Sequence, residues 1–329
     1  MDSAEDRLIA RFFRPLASAP GALALSDDAA FFTVPEGQDS ILTTDAIIEG
    51  IHVIDGAAPD AIARKALRVN LSDLAAKGAR PAAFLLSLAL PENKGEDWLA
   101  AFCAGLKDDS EHYQCPLFGG DTDRTKGPLT VTIFALGLLP RGSMVKRSGA
   151  RPGERIAATG AIGDAALGLM LTRDPALAAR WGLDEKERDH LLARYRLPQP
   201  RVGLAGALRD HVSAGIDVSD GFAGDVSKLL RVSGVSGEVM LADVPLSAAA
   251  RKALRADPAL RDRIYAGGDD YEIVCTVADD KWPGFQAAAQ EADIPVHAVG
   301  RVTAGTEPPR FLDSEDCAVA FQRPAFSHF

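Results

Sequence analysis

The stretch GIDVSDGFAGD (215–225) holds three aspartates, Asp217, Asp220 and Asp225, with no lysine, arginine or histidine in reach. Carboxylates this close repel one another, and each favours its neutral form unless something positive arrives. Further carboxylates sit in similar settings. They are Asp27 and Asp28 in LSDDAAFF, Asp45 and Glu49 in TTDAIIEGIH, Asp73 in VNLSDLAAKG, Asp121 and Asp123 in FGGDTDR, and Asp269, Asp270 and Glu272 in AGGDDYE. Each alone has a plainer reading. Ser26-Asp27-Asp28 is a turn, Asp45 is an N-cap, and both Gly-Gly-Asp segments are tight turns. Taken together they point elsewhere. Asp45 is expected to end an apolar strand, Asp73 falls among leucines and alanines, and Asp217 follows an apolar run. A charge entering a core is costly unless it is paired or bound to metal. Clusters of oxygen donors alone suit Mg²⁺, which takes carboxylates, waters and phosphate oxygens. Asp225 fits this set least and is expected to face solvent. The histidines show no H-E-x-x-H spacing, which disfavours zinc hydrolysis.

A magnesium polyphosphate ligand calls for a phosphate cradle. The sequence has no G-x-x-x-x-G-K-[ST], no G-x-G-x-x-G and no H-R-D, so P-loop, Rossmann and protein-kinase readings fall. TGAIGDAALG (159–168) follows an expected strand and opens an expected helix. Its backbone N–H groups are a candidate phosphate site at a helix N-terminus, and a plain strand-to-helix turn is the equal alternative.

The elements that must position these residues alternate along the chain. The pattern predicts strands over 41–47, 82–91, 129–139 and 270–277. It predicts helices over 59–78, 96–113, from Asp164, over 200–211 and after Gly221. RPGERIAATG (151–160) reads as a turn and a strand opening a second unit. The 329 residues suffice for two domains at roughly 150 residues each, expected here at 1–145 and 146–329. The net charge of −10 argues against nucleic-acid or anionic-membrane partners. The acidic start lacks a signal peptide's pattern, and no apolar run approaches the roughly 20 residues that span a bilayer. Cys103, Cys115, Cys275 and Cys317 have no paired spacing, which fits a reducing, cytoplasmic setting.

The segments SDDAAFF, TTDAIIEGIHV, ALRVNLSDLAAKGARP, FGGDTDR, KRSGARPGE, GIDVSDGFAGD and AGGDDYE occur in the order and spacing of the thiamine-monophosphate kinase family, which this chain resembles from about residue 5 to Phe329. The resemblance implies an α/β fold of the α+β type, the two-domain fold of the aminoimidazole ribonucleotide synthetase superfamily. The first domain would bind ATP and Mg²⁺ and form a homodimer through its sheet, and the second would complete the nucleotide and substrate site. The implied reaction is ATP-dependent phosphorylation of thiamine monophosphate to thiamine diphosphate.

Carried over residue by residue, Asp28, Thr43, Thr44, Asp45, Asp73, Asp121, Asp217 and Asp220 match the family's Mg²⁺ ligands. Tyr113, Gly120, Asp121, Arg147 and Ser219 match its ATP contacts. His52, Asp269 and Phe326 match the positions that hold thiamine monophosphate. No general base is expected, because the acceptor phosphate is already anionic. Three departures stand out. Leu25 and Ser26 replace the family's glycines before the aspartate pair, Asp269 replaces a glutamate, and Phe326 replaces a tryptophan or tyrosine. The alternatives are another ATP-dependent synthetase of the superfamily and a non-catalytic Mg²⁺-nucleotide-binding protein. Selenophosphate synthesis is disfavoured, since no cysteine precedes Cys103.

Overall fold

The computed structural model describes residues 3–323 and residue 325. The chain forms two compact units, one of Met1–Leu74 with Ala79–Gly142, the other of Ala75–Gly78 with Ser143–Phe329.

The first unit opens with a short helix, α1 (Ala4–Leu8), a wider π-helical turn at Ile9–Phe13 and tighter 3₁₀ turns at Arg14–Leu16 and Pro20–Leu25. Its four-stranded sheet has the order β1-β4-β2-β3, with β1 (Gln38–Ile48), β2 (Arg80–Pro91), β3 (Leu117–Thr125) and β4 (Thr130–Pro140). β4 runs antiparallel to both β1 and β2, while β2 and β3 are parallel. Parallel neighbours need a crossover, and α3 (Glu96–His112) supplies it. α2 (Pro59–Ala76) bonds to β1 through Thr43 and Asp45, and so lies on the face those residues share with Ile47. That face is the core: Ile62, Leu67, Leu71, Leu99, Phe102, Phe84, Leu86, Leu88, Val131 and Ile133 are all buried. Side chains alternate across a strand, so Leu42, Phe134 and Leu85 share the opposite face, and all three are exposed. Near β3 that second face is covered by the N-terminal segment, through Ala17, Ala22, Ala83 and Phe118.

The second unit has a six-stranded sheet of order β10-β7-β9-β5-β8-β6. The strands are β5 (Arg155–Thr159), β6 (Val212–Asp217), β7 (Ser236–Met240), β8 (Ile273–Val277), β9 (Val296–Thr303) and β10 (Arg310–Leu312). The helices are α4 (Asp164–Arg173), α5 (Leu177–Arg180), α6 (Glu185–Arg196), α7 (Ala205–His211), α8 (Phe222–Ser233), α9 (Ala248–Ala256), α10 (Arg261–Ala266) and α11 (Trp282–Glu291). One core joins Ile156, Ala158 and Val274 to Leu167 of α4 and Phe222 and Val226 of α8. The other joins Ala157, Ile273 and Cys275 to Leu208 of α7 and Phe285 of α11. Helices on both faces explain why β5 and β8 read as continuous apolar runs.

Several expectations are corrected. Asp45 does not end its strand, because pairing with β4 continues through Ile48. Gly119-Gly120-Asp121 is not a turn but part of β3, and a Cβ on Gly120 would lie 1.9 Å from the Leu86 carbonyl oxygen. The helix expected over 200–211 is a 3₁₀ turn at Val202–Leu204 and becomes α-helical at Ala205, since Arg201 holds a non-helical conformation. The strand expected from Asp270 starts at Ile273, because Gly268, Asp269 and Tyr271 take left-handed conformations. Cys103, Cys115 and Cys275 are buried, which pushes each thiol up to about 12, while Cys317 is exposed. Among the described residues, no helix is long and apolar enough to cross a membrane.

Candidate active site

The first unit gathers its expected site residues in two places. Asp28, Gly120 and Asp121 line a cleft of about 770 Å³, with Asp27, Ser87 and Thr122. Asp121 stands opposite Ser87 in the β2–β3 ladder. The chain reaches Asp28 through Leu23, Ala24 and Leu25, with φ of 50°, 51° and 53°. The backbone therefore turns without the family's glycines, at a cost of roughly 1–2 kcal/mol per left-handed residue. On the helix-covered face, Thr43 Oγ1 donates to Asp73 Oδ2 at 2.5 Å. Asp45 N–H donates to Asn70 Oδ1 at 3.0 Å, and Asn70 Nδ2 is itself held by the Ala66 carbonyl at 3.0 Å. Thr44 points to the other face, and its hydroxyl donates to the Ile133 carbonyl. Thr43 and Thr44 are thus not brought together.

Asp28, Asp45 and Asp121 are exposed and Asp73 is half-buried. The expectation that Asp45, Asp73 and Asp217 enter the core is corrected for exposed Asp45; Asp73 is half-buried, and Asp217, 5% exposed, does enter it. His52 lies in the turn after β1. Its Nδ1 accepts from Ile48 N–H at 3.1 Å, so the neutral ring carries its proton on Nε2. The His52 carbonyl accepts from the buried Lys65 at 3.3 Å. Tyr113 caps α3, its N–H donating to the Asp109 carbonyl at 2.9 Å. Its ring faces the Arg68 guanidinium at 5.7 Å, and Arg68 forks onto Asp109 at 2.6 and 2.8 Å.

In the second unit, the segments 217–220 and 268–272 are laced together. Asp269 N–H donates to the Ser219 carbonyl at 2.9 Å, Tyr271 N–H to the Val218 carbonyl at 2.8 Å, and Val218 N–H to the Glu272 carbonyl at 2.7 Å. This brings Asp217, Ser219 and Asp269 to one end of β6 and β8. Arg147 is exposed in the segment before β5. Phe326 lies outside the described residues.

The expectation that no cation pairs the aspartates of residues 215–225 is corrected. A cation is in reach: Lys228 of α8 donates to both Asp220 and Asp225. Asp225 does not face solvent. It is 0% exposed and accepts from Asp220 N–H at 3.0 Å. Burial raises its carboxyl above the ordinary range, against the pull of Lys228. Of the two readings left open for 159–168, the plain strand-to-helix turn is the one the geometry favours. The buried carboxylate of Asp270 already fills that helix N-terminus, accepting from Gly163 N–H at 2.7 Å and Ala165 N–H at 3.2 Å. Burial pushes the Asp270 carboxyl well above the ordinary range despite those bonds.

Beside it, Glu272 accepts from Arg194 at 2.6 Å, from Arg201 Nε at 2.6 Å and from Thr159 Oγ1 at 2.7 Å. Burial is the largest influence on Glu272 and acts upward, but Arg201, Arg194 and Thr159 together hold it below the ordinary range. Thr159 Oγ1 also accepts from Ile273 N–H at 2.8 Å, joining the cluster to β8. Sequence reasoning gave Lys228, Asn70, Arg194 and Arg201 no role. Only Lys228 carried a signal, the Asp225…Lys228 spacing of three on a helix.

A second network joins three helices. His190 Nε2 meets Asp164 Oδ2 at 2.6 Å, and Ser247 Oγ donates to Asp164 Oδ1 at 2.5 Å. The hydrogen bond to Asp164 raises the His190 pKa. A raised histidine pKa stabilises the fold fully below the unfolded value of about 6.5, and the benefit is lost as pH rises through the folded value. The melting advantage of the wild type over His190→Asn should therefore be greatest at pH 6 and shrink by pH 8. A constant advantage across that range would show that the pair carries no charge-dependent stability.

Among the described residues, no three His, Cys, Asp or Glu side chains are gathered into a ready metal cage. The donor set nevertheless fits Mg²⁺. Its side chains offer oxygen alone, and Mg²⁺ commonly uses one or two carboxylates, with waters and substrate phosphates completing the shell.

Comparison with known proteins bears on what such a set serves. The AIR synthase related protein family matches in two parts, its N-terminal domain over residues 26–139 and its C-terminal domain over 151–311. The chain is 40% identical to the thiamine-monophosphate kinase of Caulobacter vibrioides, over 90% of this chain and 83% of that protein. The crystal structure of thiamine-monophosphate kinase from Stenotrophomonas maltophilia K279a is 35% identical with a TM-score of 0.83, covering 95% of this chain and 96% of that one. The structure of AaThiL complexed with AMPPCP and TMP is 28% identical with a TM-score of 0.76, over 92% and 91%.

Proposed function

The chain belongs to the thiamine-monophosphate kinase family, within the AIR synthase related proteins, and on that premise we propose how it works. It is an ATP-dependent phosphotransferase of the thiamine-phosphate kinase class, converting thiamine monophosphate to thiamine diphosphate. The observation that carries this reading is the relative that holds AMPPCP and TMP together, which the chain follows over 92% of its length.

The acceptor is a phosphate oxygen that is anionic at neutral pH, so no side chain has to remove a proton. The barrier lies in bringing one anion onto another, and positioning with charge neutralisation lowers it. In this reading Asp28, Thr43, Thr44, Asp45, Asp73, Asp121, Asp217 and Asp220 would hold magnesium ions. When bound, such ions would supply positive charge to neutralise the phosphate chains. Gly120, Tyr113, Arg147 and Ser219 contact the nucleotide; Arg147, exposed and able to fork onto phosphate, suits that role. His52 offers an Nε2–H donor to thiamine monophosphate, Asp269 a carboxylate to its cationic ring, and Phe326 a ring face. We place the reaction in the cytoplasm, on the unpaired spacing of the four cysteines.

The test is turnover with ATP and, separately, thiamine monophosphate, thiamine and aminoimidazole precursors. Thiamine monophosphate alone should be phosphorylated, with inversion at a chirally labelled γ-phosphate. Retention, or ATP–ADP exchange without acceptor, would mean that an aspartate carries the phosphoryl group.

The proposed homodimer rests on the open sheet face. Leu42, Leu85 and Phe134 are 56%, 41% and 36% exposed, a grouping that water does not favour. The wild type should sediment as a dimer at micromolar concentration, and Leu85→Glu with Phe134→Glu as a monomer. A wild-type monomer that turns over substrate would end the proposal.

A further inference from the structure

Asp220 already holds a cation. Lys228 stands two turns further along, on α8, and its Nζ donates to Asp220 and, at 2.9 Å, to Asp225. The two carboxylates differ in access. The Asp225 side chain is 1% exposed and that of Asp220 is 40% exposed. Asp225 also accepts the backbone N–H of Asp220, so one buried group fixes both the loop and the ammonium. The Lys228 side chain is 27% exposed.

We propose that Lys228 is the internal counter-cation of Asp220, a positioning residue that neutralises this carboxylate until a divalent cation claims it. The proposal rests on the reading of Asp220 as a magnesium ligand. An ammonium and a divalent cation sharing one carboxylate repel, so Lys228 must give up Asp220 when the metal arrives. It does not have to become unpaired. Asp225 keeps it, and Asp225 is itself never left as a bare buried charge, which would be strongly destabilising. Release is thus a short swing of one side chain between two partners and one, and it is reversible. The Lys228 contact lowers the affinity of Asp220 for the metal, so the lysine sets the cation concentration at which the site fills.

The experiment is a Mn²⁺ titration of the full chain with AMPPCP, read by electron paramagnetic resonance without turnover. Lys228→Met should bind the Asp220-dependent Mn²⁺ about fivefold more tightly, the scale of a part-exposed ion pair, and Lys228→Arg should match the wild type. Asp220→Asn should weaken Mn²⁺ binding and abolish the gain from Lys228→Met. Unchanged affinity in Lys228→Met, with Asp220→Asn still weakened, overturns the counter-cation role and leaves the metal ligand standing. Unchanged affinity in Asp220→Asn overturns the ligand assignment, and this proposal with it. If Lys228→Met does not fold, Asp225→Asn with Lys228→Met removes the buried charge and its partner together and is read the same way.

Discussion

Asp121→Ala and Asp45→Ala should each lower kcat by about a hundredfold to a thousandfold, the scale of losing one group that stabilises transition-state charge. Both should keep the fold. Each carboxylate is exposed, and substitutions at exposed positions usually change stability by no more than about 0.5 kcal/mol. Asp45 also contributes its backbone N–H to Asn70, a bond the alanine variant retains. The measurement is turnover at saturating Mg²⁺ beside a thermal melt. Wild-type turnover in either variant would remove that residue from the metal set. A collapsed melt would show that the residue serves the fold instead.

Glu272→Ala should destabilise the second unit by about 3–5 kcal/mol, the cost of breaking a buried charge cluster by removing one partner. Glu272 is 0% exposed, and its loss leaves Arg194, Arg201 and Thr159 without their shared acceptor. Typical folds are stable by only about 5–15 kcal/mol, so the variant should sit near the edge of folding. Its urea midpoint should fall with the slope unchanged. Because the folded pKa of Glu272 is depressed, its contribution is present above the unfolded value of about 4.3 and is lost as pH falls through the folded value. A wild-type midpoint in Glu272→Ala would mean that the arginines find other partners at no cost.

The regular parts of this fold were plain in the sequence because their periodicity is local. α2 and α3 show helical spacing from Ile62 to Leu74 and from Leu99 to Leu106, and both form within two residues of the expected ends. β4 shows a run of strand formers and pairs on both sides. What the sequence hid depends on contacts far along the chain. Asp270 caps a helix 107 residues earlier, and Glu272 meets Arg201 71 residues earlier. No window of sequence contains both partners. The same distance effect misled the reading of 159–168, where a competent helix N-terminus was visible and its occupant was not. Asp225 failed for a nearer reason. Its place on the inward side of α8 follows from Phe222, Val226 and Leu229 around it, and a charge among them signalled burial with a partner, which Lys228 supplies.

The cysteines carry a practical consequence. Cys103, Cys115 and Cys275 are buried with thiols pushed up to about 12, so almost no thiolate forms on them near neutral pH. Cys317 is exposed. A maleimide dye or nitroxide added to the native chain at pH 7 will therefore mark one sulfur, in the second unit, with no mutagenesis. Each chain carries a single spectroscopic handle, and counting labels per particle counts chains.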